Sequence, residues 1–143
     1  MNNYFCEISL DLIDVEKIVK KYFKIEYGAV VFFVGKIRNF NIEKKVMGIT
    51  YDMCDELVLR ILSNVCEHYC KIYKNIKIYI SHFKGYIKIG YVSILIIVES
   101  YNRKNAFIIC NMILEDIKNK TPIWKYEHYF TKNSTWIDGN ILT

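Results

Sequence analysis

The chain has 143 residues, of which 52% are hydrophobic and 24% charged, and it carries a net charge of +5. That length and balance suit one domain, 1–143, with a core of its own, and exclude a disordered or fibrous chain. The apolar run in "YVSILIIVES" lies between Gly90 and Glu99 and is far shorter than the roughly 18 residues of a membrane-crossing helix. "MNNYFCEISLD" lacks the basic start and apolar run of a secretory leader, so a cytosolic protein is expected.

Taken in chain order, the predicted elements alternate strands with helices. "YFCEISL" reads as a strand, and "DVEKIVKKYF" as a short helix capped by Asp14, with Val15, Ile18, Val19 and Tyr22 on one face. After Gly28, the β-branched and aromatic run "AVVFFVGKIR" predicts a buried strand ending near Arg38. The polar "NFNIEKK" reads as a loop and "VMGITYD" as the next strand. From Asp55 to Lys71, the residues Leu57, Ile61, Leu62, Val65 and Tyr69 recur at helical spacing and predict the first long helix. "NIKIYIS" alternates Ile76, Ile78 and Ile80 with Lys77, Tyr79 and Ser81, the period of a half-buried strand. Its neighbour is "YVSILIIVE", beyond the turn residues Gly85 and Gly90.

A second long helix is expected from Arg103 to Asn119, capped by Ser100 or Asn102, with Ala106, Phe107, Cys110, Ile113, Leu114 and Ile117 on its apolar stripe. Pro122 stops it, because the residue before a proline is driven out of helical geometry. "IWKYEHYF" follows as a strand with Lys125 and Glu127 on the face opposite Trp124 and Tyr126. The order β-α-β-β-α-β-β-α-β defines an α+β domain, its sheet packed with two long helices and one short one.

The bend at Pro122 brings the last turn of a helix, with Lys118, near the start of a returning strand, with Lys125. Two ammonium groups at one end of a sheet cost energy unless an anion lies between them, and their repulsion lowers the pKa of one. The ordinary alternative is that Lys118 meets the helix dipole and Lys125 is an exposed strand residue. Arg38 closes "GKIRNFN" and Arg103 opens a helix in "SYNRKNAF", both suited to a phosphate. Together Lys36, Arg38, Arg103, Lys118 and Lys125 would form a pocket for a small phosphorylated molecule.

Other chemistries lack their signatures. Of 20 basic residues all but Arg38, Arg60 and Arg103 are lysine, which implies attraction to anions without naming one. No phosphate-binding glycine loop and no nucleophile elbow occur. The five cysteines, Cys6, Cys54, Cys66, Cys70 and Cys110, follow no disulfide framework, as suits a reducing compartment. Cys66, His68 and Cys70 would make half a metal site that nothing completes, so no metal is expected. None of the five has the setting of a thiolate nucleophile.

"GAVVFFVGKIRNFN", "SHFKGYIKIGYVSILIIVESYNRKNAF" and "DIKNKTPIWKYEH" resemble, in order and spacing, three signature regions of the large, catalytic subunit of molybdopterin synthase, the MoaE family. The resemblance spans roughly Gly28 to Glu127. It implies an α/β hammerhead type of fold and an enzyme that adds two sulfur atoms to cyclic pyranopterin monophosphate, forming the dithiolene of molybdopterin. The sulfur would arrive as a C-terminal thiocarboxylate on a small ubiquitin-like subunit, and no cofactor would be needed. The resemblance also implies a homodimer of large subunits with a small subunit at each far end. Lys118 and Lys125 match the family's catalytic lysines, while Lys36, Ile37, Arg38, Asn102, Arg103, Lys118, Lys125, Tyr126 and Glu127 match its substrate-binding positions. Three positions depart from the family pattern: Asn102 for histidine, Tyr91 for glutamate and Phe83 for arginine. The competing readings are a basic module that binds RNA or another polyanion, and a rhodanese-like sulfurtransferase that would need a reactive cysteine.

Overall fold

A run of isoleucines in two neighbouring strands organises the molecule. The computed structural model describes residues 3–23, 25–42, 44–130 and 135–137. Met1 and Asn2 of the opening stretch and Glu43 of the expected loop lie outside the described residues. The elements are β1 (Tyr4–Ser9), α1 (Val15–Val19), β2 (Ala29–Lys36), β3 (Phe40–Asn41), β4 (Lys44–Met53), α2 (Asp55–Ile72), β5 (Ile76–Phe83), β6 (Gly85–Lys88), β7 (Val92–Ser100), α3 (Arg103–Lys120), β8 (Ile123–Tyr129) and β9 (Thr135–Ile137).

The first sheet has the order β1-β5-β7-β2, with β1 parallel to β5 and the remaining pairs antiparallel. The second runs β3-β4-β8-β9, and β6 also pairs with β4. α2 packs on β1 and β5, α3 on β7 and β2, and the two helices touch each other. Between them and the sheet lie Ile78, Ile80, Ile94, Ile96 and Val98, all fully buried. Burying one such side chain contributes about 1.5–3 kcal/mol, so this layer is the principal source of cohesion.

Local chemistry sets the element ends as expected. The Asp14 side chain accepts from the backbone N–H of Lys17 at 3.1 Å, and that of Asn102 from Asn105 at 2.9 Å, each satisfying an otherwise orphaned donor of a helix start. Thr121, before Pro122, is extended and ends α3.

Several expectations need correction. β5 is buried on both faces rather than one, because it is a central strand and Tyr22, just beyond α1, packs on its second face, its ring 5.4 Å from that of Tyr79. β2 is only half-buried, because among the described residues it pairs with β7 alone and forms an edge of the sheet. The loop after Arg38 contains a short β3–β4 hairpin pairing. β6, bounded by Gly85 (φ 115°) and Gly90 (φ 85°), is a strand where only a turn was expected. The buried stripe of α2 uses Val58 and Cys66 where Leu57 was expected, and α3 buries Ile109 while Phe107 is 64% exposed.

Candidate active site

Where β2 ends, its pairing with β7 slips between Gly35 and Lys36, and the chain leaves the sheet. It is caught again by backbone bonds: Ile37 N–H donates to the Tyr91 carbonyl at 3.1 Å, and Gly90 N–H to the Ile37 carbonyl at 2.8 Å. Ile37 is thereby buried, while Lys36 and Arg38 are exposed on either side of it. Tyr91 acts here through its backbone, which a glutamate would supply equally. Phe83 is buried, in the core where an arginine would need a partner.

β8 supplies the opposite wall. Its alternation turns Lys125, Glu127 and Tyr129 inward, and Lys125 faces Tyr51 of β4 in the strand register. Trp124, Tyr126 and His128 lie on the outer face. The Tyr126 and His128 rings meet at 4.7 Å, and His128 lies 5.1 Å from Tyr86. Tyr126 therefore stands apart from Lys125 and Glu127, as the strand period requires.

Three hollows share Lys36 and Arg38. One of about 220 Å³ adds Phe33, Ser93, Tyr51 and Lys125, and a small one of about 30 Å³ adds Asn41, Lys125 and Glu127. The third, of about 570 Å³, opens beside Asn39, Phe40, Ile89 and Gly90. No cysteine lines any of them, which removes the basis for a rhodanese-like nucleophile at this place.

Lys125 is 9% exposed, not the exposed strand residue of the ordinary reading. Burial pushes its pKa below the usual lysine value, the Arg38 charge pushes the same way, and Glu127 opposes both. The Glu127 carboxylate is itself held. Asn41 Nδ2 donates to both its oxygens at 3.0 Å, and the Tyr129 hydroxyl donates to Oε2 at 2.5 Å. Burial and that carboxylate raise the Tyr129 pKa to about 12, and burial raises Tyr51 to about 12, so both keep their protons at neutral pH. Behind Tyr51 lies His82, fully buried, with Nδ1 2.8 Å from the Phe83 carbonyl and a pKa lowered to about 4 by that burial.

α3 follows β7 and packs back along β7 and β2, so its last turn, with half-exposed Lys118, returns to the Lys36 end of the sheet. Lys118 does not line the three hollows but stands at their end of the fold. Its first turn is elsewhere. Arg103 precedes Lys118 by fifteen helical residues, about 22 Å of helix. Asn102 and Arg103 lie where Ser100 pairs with Ala29, the far end of β2 from Lys36. One chain thus brings together Lys36, Arg38, Lys125 and Glu127, with Lys118 nearby, and leaves Arg103 out. Asn102 has its side chain committed to the helix cap.

Sequence reasoning missed Asn41, Tyr51 and Tyr129. Asn41 lies 86 residues from the carboxylate it holds, and no local pattern signals such a contact. Cys66 faces Cys6 rather than a metal, and among the described residues no group of three His, Cys, Asp or Glu side chains could hold one.

Two sheets, two long helices on one of them and a basic cleft at their junction define an α+β protein built to receive an anion. A family model described as MoaE protein matches residues 8–120. The chain belongs to the MoaE family. The molybdopterin synthase catalytic subunit of Synechococcus elongatus is 35% identical over 117 residues, covering 81% of this chain and 71% of that protein. The crystal structure of molybdopterin synthase from Staphylococcus aureus superposes with a TM-score of 0.86 at 26% identity, covering 96% of this chain and 98% of that one. A chain from the complex of subunits 1 and 2 of the molybdopterin-converting factor of Helicobacter pylori gives 0.79 at 25% identity, with coverage of 93% and 90%. The family match stops at Lys120, short of Lys125.

Proposed function

We propose that this chain is the catalytic subunit of a cytoplasmic molybdopterin synthase, a sulfurtransferase that turns cyclic pyranopterin monophosphate into the dithiolene of molybdopterin. The observation that carries the reading is Lys125, buried on an inner strand face beside Arg38 and next to a carboxylate fixed by Asn41 and Tyr129. Such a site holds an anion, beside a lysine whose pKa burial lowers below the usual lysine value. Arg38 and Lys36 anchor the phosphate, and Ile37 sets their directions through its backbone bonds. A small ubiquitin-like subunit brings its C-terminal thiocarboxylate to the Lys118 side. Its sulfur bonds to a side-chain carbon of the pterin as that carbon's bond to oxygen breaks, and Lys118 stabilises the negative charge that develops on the departing oxygen, while Lys125 holds the substrate. Water then cleaves the thioester between tail and sulfur, which leaves the sulfur on the pterin and releases the tail as a carboxylate, and a second thiocarboxylate supplies the second sulfur in the same way.

Arg103 enters from a second copy. Among the described residues β2 is an edge with no strand beyond it, flanked by exposed Phe23 and Phe32, whose rings meet at 6.3 Å, and by exposed Phe107 and Ile108 on the adjoining α3. Antiparallel pairing of two β2 strands would cover these side chains and set the Ala29 end of one chain against the Lys36 end of the other. Asn102 and Arg103 of each copy would then reach the other's cleft. The purified chain is therefore a homodimer, and each dimer takes two small subunits.

Mixing the chain with a thiocarboxylated small subunit and the cyclic pterin should yield the dithiolene product. A folded dimer that binds the small subunit yet makes no product refutes the reading. Combining Arg103→Ala and Lys125→Ala chains tests the shared site separately. At a pterin concentration too low for either parent dimer to turn over, mixed dimers regain activity if Arg103 acts across the interface, because one of the two sites is then intact. They stay inactive if it acts within its own chain.

A further inference from the structure

The helix-covered face of the first sheet also brings three thiols together, at the edge far from β2. Cys6 on β1 has its Sγ 3.5 Å from that of Cys66 on α2, sixty residues along the chain. Cys70 follows one helical turn later, its Sγ 4.0 Å from the carbonyl of Asn3 just before β1. Cys54 is exposed before α2, and Cys110 is buried in α3. Nothing in the proposed sulfur transfer uses these groups. Thiols in contact at 3.5 Å need only small side-chain adjustments to reach the roughly 2 Å of a disulfide, because β1 and α2 are already packed.

We propose that Cys6 and Cys66 form an oxidation site, at which a hydroperoxide converts the two thiols into a disulfide that ties β1 to α2. The two residues differ in a way that orders the steps. Cys6 is partly exposed and meets the oxidant; Cys66 is shut away in the core. Its hydrogen bond with Cys6, and then burial, hold the Cys66 thiol above its ordinary pKa, so it acts as the resolving partner and not as the first target.

In the first step the Cys6 sulfur attacks the peroxide, the O–O bond breaks, and one oxygen stays on sulfur as a sulfenic acid while the other leaves as water, or as the alcohol from an organic hydroperoxide. In the second, the Cys66 sulfur attacks the Cys6 sulfur, the S–O bond breaks, and the departing hydroxide takes the Cys66 proton and leaves as water. Sulfur loses two electrons in all, and the peroxide gains them. The bond closes a loop of sixty residues, which restricts the unfolded chain and raises the unfolding temperature.

The test uses the full chain with Cys54→Ser, which removes the exposed thiol from a cap position where its side chain makes no hydrogen bond. Reduced protein is treated with a small excess of hydrogen peroxide and measured by intact mass, by non-reducing peptide mapping and by thermal unfolding. The expected result is loss of two hydrogen atoms, one cross-linked peptide pair containing Cys6 and Cys66, and a higher unfolding temperature that dithiothreitol reverses. Cys6→Ser should abolish all three, and it stays informative if the buried Cys66→Ala variant fails to fold. A link from Cys6 to Cys70, a sulfinic acid on Cys6 without any link, or unchanged thiols would overturn the proposal. None of these readouts depends on sulfur transfer.

Discussion

β7 and β8 are strands of similar length that use burial for opposite ends. β7 is buried on both faces and its five central residues, Ile94 to Val98, are all aliphatic, with buried Ser93, Glu99 and Ser100 kept to its ends, while the middle of β8's buried face carries Lys125 and Glu127. In β7 each aliphatic side chain of that central run contributes cohesion as it leaves water. In β8, burial instead costs free energy, which is offset only because Asn41, Tyr129 and neighbouring charge satisfy the groups. A strand whose inner face is polar is a place where stability has been given up, and in this fold it is the wall of the cleft.

The largest expected effect lies on the cohesive side. Ile96→Ala in β7 leaves a cavity at a fully buried position and should cost about 2–5 kcal/mol in urea unfolding. Turnover should remain normal in whatever fraction stays folded. A loss below about 1 kcal/mol would break the contrast, since β7 would then be no more committed to packing than β8.

Lys118→Ala reverses the pattern. Half-exposed in the last turn of α3, the side chain contributes little to the core. Turnover should fall on the order of a hundred-fold or more, as loss of a positioned charge does, with the unfolding curve nearly unmoved. Lys118→Arg should rescue poorly, because the planar, bulkier guanidinium places its charge differently. Wild-type turnover in the folded alanine variant would leave Lys118 to the helix dipole alone.

Smaller still is the effect at Arg38. Arg38→Ala should weaken pterin binding about ten- to a hundred-fold, the worth of roughly 1.5–3 kcal/mol for a charged hydrogen bond. It should also let the Lys125 pKa climb, since Arg38 is one of the charges that lowers it. Arg103→Ala should weaken binding to a similar degree in the proposed dimer, because Arg103, about 22 Å of helix from Lys118 within one chain, would reach the cleft from the second copy. Calorimetric titration of the pterin, with unchanged affinity in both variants, would take the arginines out of the site.

Much of this contrast was legible in the chain. The apolar run of β7, the cap at Asn102 and the stop at Pro122 are local signals, each decided by neighbouring residues. The period of two in β8 placed Lys125 and Glu127 on one face, but not which face was inward. Trp124 is the more apolar residue, yet it is 55% exposed. Inwardness is set by β4, whose Tyr51 and Ile49 face Lys125 and Glu127 in register, and by Asn41, neither of which is near in sequence. β6 and β9 are too short to show a period, and glycines at either end made β6 read as a turn. Within one chain Arg38 and Arg103 do not meet, for a simpler reason. Both end an element, but at opposite ends of β2.

Lys125 itself gives the finest test. Its ammonium is disfavoured in the fold, first by burial and then by Arg38, so its native pKa lies below the ordinary 10.5 while the unfolded chain keeps that value. In the window between the two the unfolded state binds more protons than the native state. Stability contributed by this group therefore rises with pH through the window, is fully present above 10.5, and is lost as pH falls through the native pKa. The slope is bounded at about 1.4 kcal/mol per pH unit for one proton. Lys125→Met keeps the stem and removes the charge, so below the window it should be more stable than wild type, with the two stability curves converging as pH rises toward 10.5. Urea unfolding at a series of pH values measures both curves. Parallel curves would mean that Lys125 titrates alike in the folded and unfolded chains, and β8 would then be an ordinary strand with its lysine turned inward at no cost.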